Sequence, residues 1–243
     1  MKLYGLIGYP LSHSFSKKYF DEKFVQENIT NAVFENFSIA NINLLKNILL
    51  RKQLQGFAIT IPYKKEIITF LNESNDVVKK INACNCVTIK NGKLFGYNTD
   101  VIGFEKSFIQ QLKPHHTKAL ILGTGGAAAA VEYVLQKLNI SYKFVSRIKQ
   151  ENNFIYNELS EVVINEYTVI INATPIGTYP NVNECPTLPY ELLTAKHYLY
   201  DLVYNPSETK FLRLGKQKSC TIKNGYDMLV LQAEENWKIW NEA

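Results

Sequence analysis

The sequence predicts an α/β protein of two domains, an N-terminal α/β domain followed by a Rossmann-like, doubly wound parallel sheet. Three observations predict it. Residues 118–130, KALILGTGGAAAA, carry an apolar strand straight into a glycine-rich turn and a helix of small residues. Strand-like and helix-like segments alternate along most of the chain, the pattern of parallel sheets covered by helices. Between the two halves, Lys113, Pro114, His115 and His116 break a helical segment just before the glycine-rich strand and mark a domain junction.

Taken in order, the first hundred residues read as a strand over 3–8, a helix over 17–27, a strand over 33–39, a helix over 43–52 and a strand over 57–61. Pro62 ends that last strand, because proline cannot donate to a ladder. Residues 64–81 read as short helices, and Asn91-Gly92 is a hairpin turn between strands 86–90 and 93–97. A helix over 101–112 leads to the junction. Further strands are expected over 142–145, 169–172, 198–203 and 221–223, with helices after the glycine turn and over 208–216. After Gly225 the pattern MLVLQAEENWKIW fits one helix with Leu229, Ala233, Trp237 and Trp240 near one face, returning to the first domain. The expected domains are therefore 1–100 with 225–243, and 101–224.

Composition excludes several classes. The chain has 243 residues, 46% hydrophobic and 20% charged, with no low-complexity tract, which describes a globular protein with a substantial core. No apolar run approaches the roughly 20 residues that span a bilayer. The N-terminus lacks a signal-like apolar segment, so the cytoplasm is the expected compartment. Net charge is +5 but the lysines are scattered, with no basic stripe for nucleic acid. Cys84 and Cys86 are read as projecting to one side of a strand, and with Cys185 and Cys220 they form no second pair of ligands. Buried thiols are expected, and no metal.

The glycine turn points to a dinucleotide. Gly123 permits the tight turn, Gly125 lets backbone approach a pyrophosphate, and Ala128 allows close helix packing. The following helix aims its N–H groups and positive dipole end at the anion. At the end of the next strand, where NAD-binding folds place an acid for the ribose 2′-hydroxyl, stand Ser146, Arg147 and Lys149. A guanidinium suits a 2′-phosphate, so NADP is the expected cofactor. The plainer reading leaves Arg147 as a solvated surface charge.

Three polar clusters fall at strand ends in the first domain. Ser14 and Ser16, read as extended chain, would face one way and hold a carboxylate, or simply cap the next helix. Lys64 follows Thr60 where a helix is expected to begin, a position the helix dipole disfavours and function would explain. Asp100 closes the Tyr97-Asn98-Thr99-Asp100 stretch.

At these positions the chain resembles the shikimate dehydrogenase family, nearly end to end. The resemblance rests on SHSFS at 12–16, TIPYK at 60–64, NACNC at 82–86, YNTD at 97–100, GTGGAA at 123–128, NATPIG at 172–177, DLVYNP at 201–206 and GYDMLVLQA at 225–233. It implies NADP-dependent interconversion of 3-dehydroshikimate and shikimate, in the biosynthesis of chorismate and aromatic amino acids. It further implies Lys64 and Asp100 as the catalytic pair, and Ser14, Ser16, Thr60, Asn85, Tyr204 and Gln232 as the substrate-binding set. Gly123, Thr124, Gly125, Gly126, Ala127, Ser146, Arg147, Thr174, Leu202 and Gly225 match the cofactor contacts. Departures from the family pattern are Ala58 for asparagine, Ser146 for asparagine and Glu151 at a usually basic position; Lys149 is a candidate to compensate, and a helix within 150–166 is expected to be trimmed.

In the implied reaction Lys64 either donates the proton to the developing alkoxide or stabilises it electrostatically, while Asp100 holds a substrate hydroxyl and the lysine. Quinate dehydrogenases share the layout, and the intact serine pair favours shikimate. A non-catalytic NADPH sensor would not need Lys64 and Asp100, and a folate-linked methylene dehydrogenase would not need SHSFS or GYDMLVLQA. The expected partners are a small-molecule substrate and NADP, with no nucleic acid and no membrane, for a monomer or homodimer.

Overall fold

The computed structural model describes residues 1–11 and 14–242, so Ser12 and His13 of the SHSFS stretch lie outside the described residues. The chain divides into two compact units, Met1–Thr99 with Gln232–Ala243, and Asp100–Leu231. Both are α/β, as the sequence predicts. Among the described residues no helix is long and apolar enough to cross a membrane.

The first unit runs β1 (Lys2–Gly8), α1 (Phe15–Gln26), β2 (Ala32–Ser38), α2 (Leu45–Leu49), β3 (Leu54–Ile59), β4 (Glu73–Ser74), α3 (Asp76–Ile81), β5 (Cys86–Lys90) and β6 (Lys93–Tyr97). Its sheet has the order β2-β1-β3-β5-β6-β4. β1 lies parallel to β2 and β3, whereas β5 is antiparallel to β3 and β6. Because β5 is reversed, its start shares an edge with the ends of β1, β3 and β6. Thr60 and Lys64 follow β3, and Tyr97 ends β6 with Asn98 and Thr99 after it, at that edge.

Both faces of this sheet are covered, so β1 reads as an unbroken apolar run. Leu3 and Ile7 pack with Leu45 and Ile48 of α2 on one face. Tyr4 and Leu6 pack with Phe20 and Phe24 of α1, and with Ala233 and Trp240 of the C-terminal helix (Tyr226–Asn241), on the other. Trp240 stacks on Tyr4 with ring centroids 5.1 Å apart and donates its indole N–H to Val87 O at 3.0 Å. The departure Ala58 lies in this second core, paired in register with Cys86. Cys84 and Cys86 do not share a side as expected: Cys84 precedes β5 and packs into the first core, Cys86 into the second.

The second unit contains α4 (Asp100–Phe108), β7 (Lys118–Leu122), α5 (Gly126–Lys137), β8 (Ser141–Ser146), β9 (Asn153–Ile155), α6 (Glu161–Glu166), β10 (Val169–Asn172), β11 (Tyr198–Asp201), α7 (Lys210–Gln217) and β12 (Thr221–Lys223). All its strands are parallel, in the order β12-β11-β10-β7-β8-β9. α6 and α7 bury Ile164, Phe211 and Leu212 on one face of this sheet. Elsewhere Phe104 and Phe108 of α4 meet Tyr200 and Tyr198 in close ring contacts. After β9 the chain returns across β7 to β10, so the carboxyl ends of β7 and β10 form the switch point where such sheets bind ligands.

Some local expectations fail. Residues 64–81 hold two short helical pieces, of which only the second is α: a turn over 61–65 precedes a 3-10 helix at Glu66–Phe70, and β4 interrupts before α3. Lys64 therefore lies in a turn ahead of a 3-10 segment, and the helix-dipole argument for its position does not apply. Ser14 and Ser16 are not an extended pair either, because Ser16 is already inside α1. The helix expected to be trimmed within 150–166 is the six-residue α6, preceded by β9.

Candidate functional site

In the second unit a cavity of about 510 Å³ opens at the switch point, lined by Gly123, Thr124 and Gly125 after β7, by Ser146, Arg147 and Tyr156, and by Thr174, Pro175 and Ile176 after β10. The residue types explain the shape. Gly123 has φ +93°, a left-handed conformation that favours glycine. Its amide donates to Val145 O at 2.9 Å, while Ala173 N–H reaches Leu122 O at 3.0 Å, so the turn is stitched to both neighbouring strands. A Cβ built on Gly125 or Gly126 would meet nothing within 4 Å, which leaves open space before the start of α5.

The N-terminus of α5 differs from those of α1, α3, α6 and α7, which are capped by the side chains of Ser14, Asn75, Ser160 and Thr209. Gly125 offers no side chain, so the first N–H groups of α5 face the cavity without a side-chain acceptor. An anion is what such an end accepts. Ala128 is buried, consistent with close packing of α5 on the sheet.

Arg147 is exposed and lines the cavity, and no carboxylate is among the lining residues. Ser146 is held internally: its hydroxyl donates to Ile148 O at 2.6 Å and accepts from Asn153 Nδ2 at 2.6 Å. Lys149, the candidate to compensate for the departures at 146 and 151, is engaged elsewhere. Its ammonium is committed to Glu158 at 2.7 and 2.9 Å and to Asn153 O, and it is absent from the lining. Glu151 stays exposed in the turn after β8 and is also outside the lining. This donor set fits a dinucleotide with a 2′-phosphate: open backbone N–H groups for a pyrophosphate and a guanidinium at the strand end.

The support behind this cavity was not read from the sequence. Asn172 closes β10 with its side-chain oxygen accepting from Thr174 N at 3.1 Å and Thr174 Oγ1 at 2.6 Å, while its amide nitrogen donates to Asp201 at 3.0 Å. Asp201 also accepts from Val203 N and Thr209 Oγ1. Burial pushes its carboxyl up to about 6, with those donors opposing the rise. The signal was the polar residue ending each of two apolar strands. Leu202 and Gly225 lie outside the cavity lining, beyond the ends of β11 and β12; a Cβ on Gly225 would collide with Leu202 O. Tyr204, expected to bind substrate, is partly exposed in the same unit.

In the first unit a second polar cluster forms at the shared sheet edge. Thr60 follows β3 and donates its amide to Ile7 O at 2.9 Å. Tyr63 is buried and its hydroxyl donates to Ile39 O at 2.6 Å, and the carbonyl of Lys64 accepts Cys84 N–H at 2.8 Å. Both ends of the Thr60–Lys64 turn are thereby tied down. Ser14 caps α1, accepting from Lys17 N at 3.1 Å. Asn85, Thr99, Gln232 and Asn236 are all buried. Asn85 pairs with Thr99 through both side-chain atoms, and Thr99 Oγ1 reaches Asn236 Oδ1 at 2.7 Å. Asp100 follows directly in the chain as the first residue of α4, in the second unit, where the dipole favours an acid. Asn236 was not among the expected site residues.

Residues 6–87 match the family model of the shikimate dehydrogenase substrate binding domain. The chain is 34% identical, over 98% of its length and 90% of the relative's, to a shikimate dehydrogenase (NADP(+)) of Methanococcus vannielii. It is 36% identical to one of Clostridium beijerinckii, over 100% of this chain and 93% of that protein. The crystal structure of shikimate 5-dehydrogenase from Thermus thermophilus in complex with NADP(H) and shikimate superimposes with a TM-score of 0.87 at 26% identity, covering 100% of this chain and 94% of that one.

Proposed function

The chain belongs to the shikimate dehydrogenase family, and from that premise we propose that it reduces 3-dehydroshikimate reversibly to shikimate with NADPH, using Lys64 and Asp100 as its proton-transfer pair. The observation that carries the cofactor half is the cavity in which a helix start without a side-chain cap and Arg147 stand together, with no carboxylate in the lining. Bound there, NADPH would supply the hydride. Gly123, Thr124, Gly125, Gly126 and Ala127 would hold the pyrophosphate, Arg147 with Ser146 the 2′-phosphate, and Thr174, Leu202 and Gly225 the remainder.

The substrate half is assigned to Ser14, Ser16, Thr60, Asn85, Tyr204 and Gln232, the groups proposed to bind the carboxylate and hydroxyls. Lys64 as an ammonium offers a proton to the alkoxide that forms at the ketone oxygen, and its charge stabilises that oxyanion. Asp100 as a carboxylate accepts a substrate hydroxyl and favours the charged lysine. The tied-down turn around Lys64 supports this role, since a proton donor acts only when its reach is fixed.

Residues 1–100 with 225–243 are proposed as the substrate-binding and catalytic domain, and 101–224 as the NADP-binding domain. The proposed setting is the cytoplasm, for a monomer or homodimer in the biosynthesis of chorismate and the aromatic amino acids. Initial rates with shikimate and quinate, each with NADP and with NAD, test the assignment. Shikimate with NADP is expected to be fastest; a preference for quinate or for NAD overturns that part of the reading.

A further inference from the structure

β8 and β9 are parallel neighbours with Ser146 paired to Ile155, so the residues that follow, Arg147 and Tyr156, leave adjacent strand ends together. Both line the nucleotide cavity, and they are near enough for the guanidinium charge to act on the phenol. The chain between them is stitched down by bonds whose polarity the backbone dictates. Asn153 Oδ1 accepts Gln150 N–H at 2.7 Å, which makes the other atom the NH₂ group, donating to Ser146 Oγ at 2.6 Å and to Ile148 O at 2.9 Å. The Ser146 hydroxyl therefore has its proton on Ile148 O at 2.6 Å and none for a phosphate. That leaves Arg147 as the side-chain donor of the pair proposed above. Glu158 turns back to accept Ile155 N–H at 3.0 Å and to bond Lys149 at 2.7 Å, which ties the turn carrying Tyr156 to the end of β8.

We propose that Tyr156 is a specificity-determining residue whose phenol donates its O–H to the 2′-phosphate of NADP, beside the Arg147 guanidinium. Its ring packs against the apolar core of the second unit, which fixes its place, while its hydroxyl makes no hydrogen bond to protein among the described residues. Arg147 likewise has no carboxylate partner among them. A cation and an O–H donor, neighbours at two strand ends and both without a protein acceptor, together call for an anion. Burial raises the pKa of the phenol more than Arg147 lowers it, so the proton to be donated is in place at neutral pH. A hydrogen bond to a charged phosphate is stronger than one to a neutral ribose hydroxyl, so the phenol adds to the preference for NADP over NAD as well as to affinity.

The inference rests on the proposed NADP reading, and the experiment separates the two. Dissociation constants of NADPH, NADH and adenosine 2′,5′-bisphosphate are measured by calorimetry, without shikimate, for the wild type, Tyr156→Phe and Tyr156→Leu. Phe keeps the ring and its packing and removes only the O–H. The expected result is that NADPH and the bisphosphate bind about tenfold more weakly to Tyr156→Phe, with NADH affected far less. Combined with Arg147→Ser, the same change should cost less than it does alone, because both side chains act on one phosphate. A Tyr156→Phe protein that keeps the wild-type ratio of NADPH to NADH affinity overturns the inference alone. So does a pattern in which Leu weakens both cofactors equally and Phe weakens neither, which describes a ring that only stacks on the adenine. Should Tyr156→Leu fail to fold, the Phe variant decides. A wild type that binds NADH as tightly as NADPH overturns the cofactor reading and this inference with it.

Discussion

Gly123 lies so close to Thr174 that a Cβ built on the glycine would stand 2.7 Å from the threonine Cγ2, at the point where β7 and β10 deliver their loops into the nucleotide cavity. The glycine also has φ +93°, so an alanine there suffers both backbone strain and a clash. Gly123→Ala should lose about 1–3 kcal/mol of stability and raise the KM for NADPH, because relief requires moving Thr174. Urea unfolding with an NADPH titration checks it; unchanged cofactor affinity would show that the turn does not shape the site.

Arg147 is the one cation proposed to hold the 2′-phosphate, since Lys149 is paired with Glu158. Arg147→Ser should raise the KM for NADPH by roughly ten- to a hundredfold, the scale of lost charge-assisted hydrogen bonds, and leave the KM for NADH nearly unchanged. Equal effects on both cofactors would contradict the assignment.

The pH dependence of stability has a candidate source in His116, which is buried with Nδ1 accepting Lys113 N–H at 3.0 Å and Nε2 facing Lys196 O at 3.1 Å. Burial lowers its pKa, opposed by the Lys196 carbonyl and reinforced by Lys113, His115 and His197; Tyr198 packs beside the ring. The folded pKa lies below the unfolded one, so the unfolded chain binds the proton first. The stabilisation is present above the unfolded value of about 6.5 and is lost as pH falls through the folded value. Thermal unfolding from about pH 8 to pH 5 should therefore show the gap between the wild type and His116→Gln narrowing as pH drops. Parallel curves would remove His116 from the account.

Trp240 carries the attachment of the C-terminal helix to the first sheet. It stacks on Tyr4, donates to Val87 O at 3.0 Å, and packs over Gly56, where any Cβ would strike its ring. Trp240→Ala should cost about 3–5 kcal/mol. Since Gln232 and Asn236 ride on the same helix, the KM for shikimate should rise while that for NADPH holds. A loss below about 1 kcal/mol would mean that the helix is held by other contacts.

Much of this was legible because the chain marks its boundaries chemically. Asn91 and Gly92, at φ 51° and 75°, make the left-handed turn their sequence announces, and the strands on either side end where expected. The glycine strand, its turn and the continuous apolar strands of the second sheet were readable for the same reason. β4 and β9 were not, since two and three residues are too few to show a period. The position of Lys64 was read for the wrong reason, because the 3-10 segment begins only at Glu66. Asn236 went unread because the C-terminal helix was scanned for its apolar face. A polar residue four places after Gln232, directed into a core, was the available sign.

The central claim is that the Lys64 side chain takes part in the chemistry, and its surroundings allow a clean test. The backbone carbonyl of Lys64 accepts Cys84 N–H at 2.8 Å, a bond that truncation to alanine leaves in place. Shikimate-dependent formation of NADPH, followed by its absorbance in the wild type and in Lys64→Ala, is the direct measurement. The account predicts a wild type active with shikimate and NADP, and a folded variant whose kcat falls by about 10² to 10⁴ with a modest change in KM. Near-normal turnover in Lys64→Ala would contradict it.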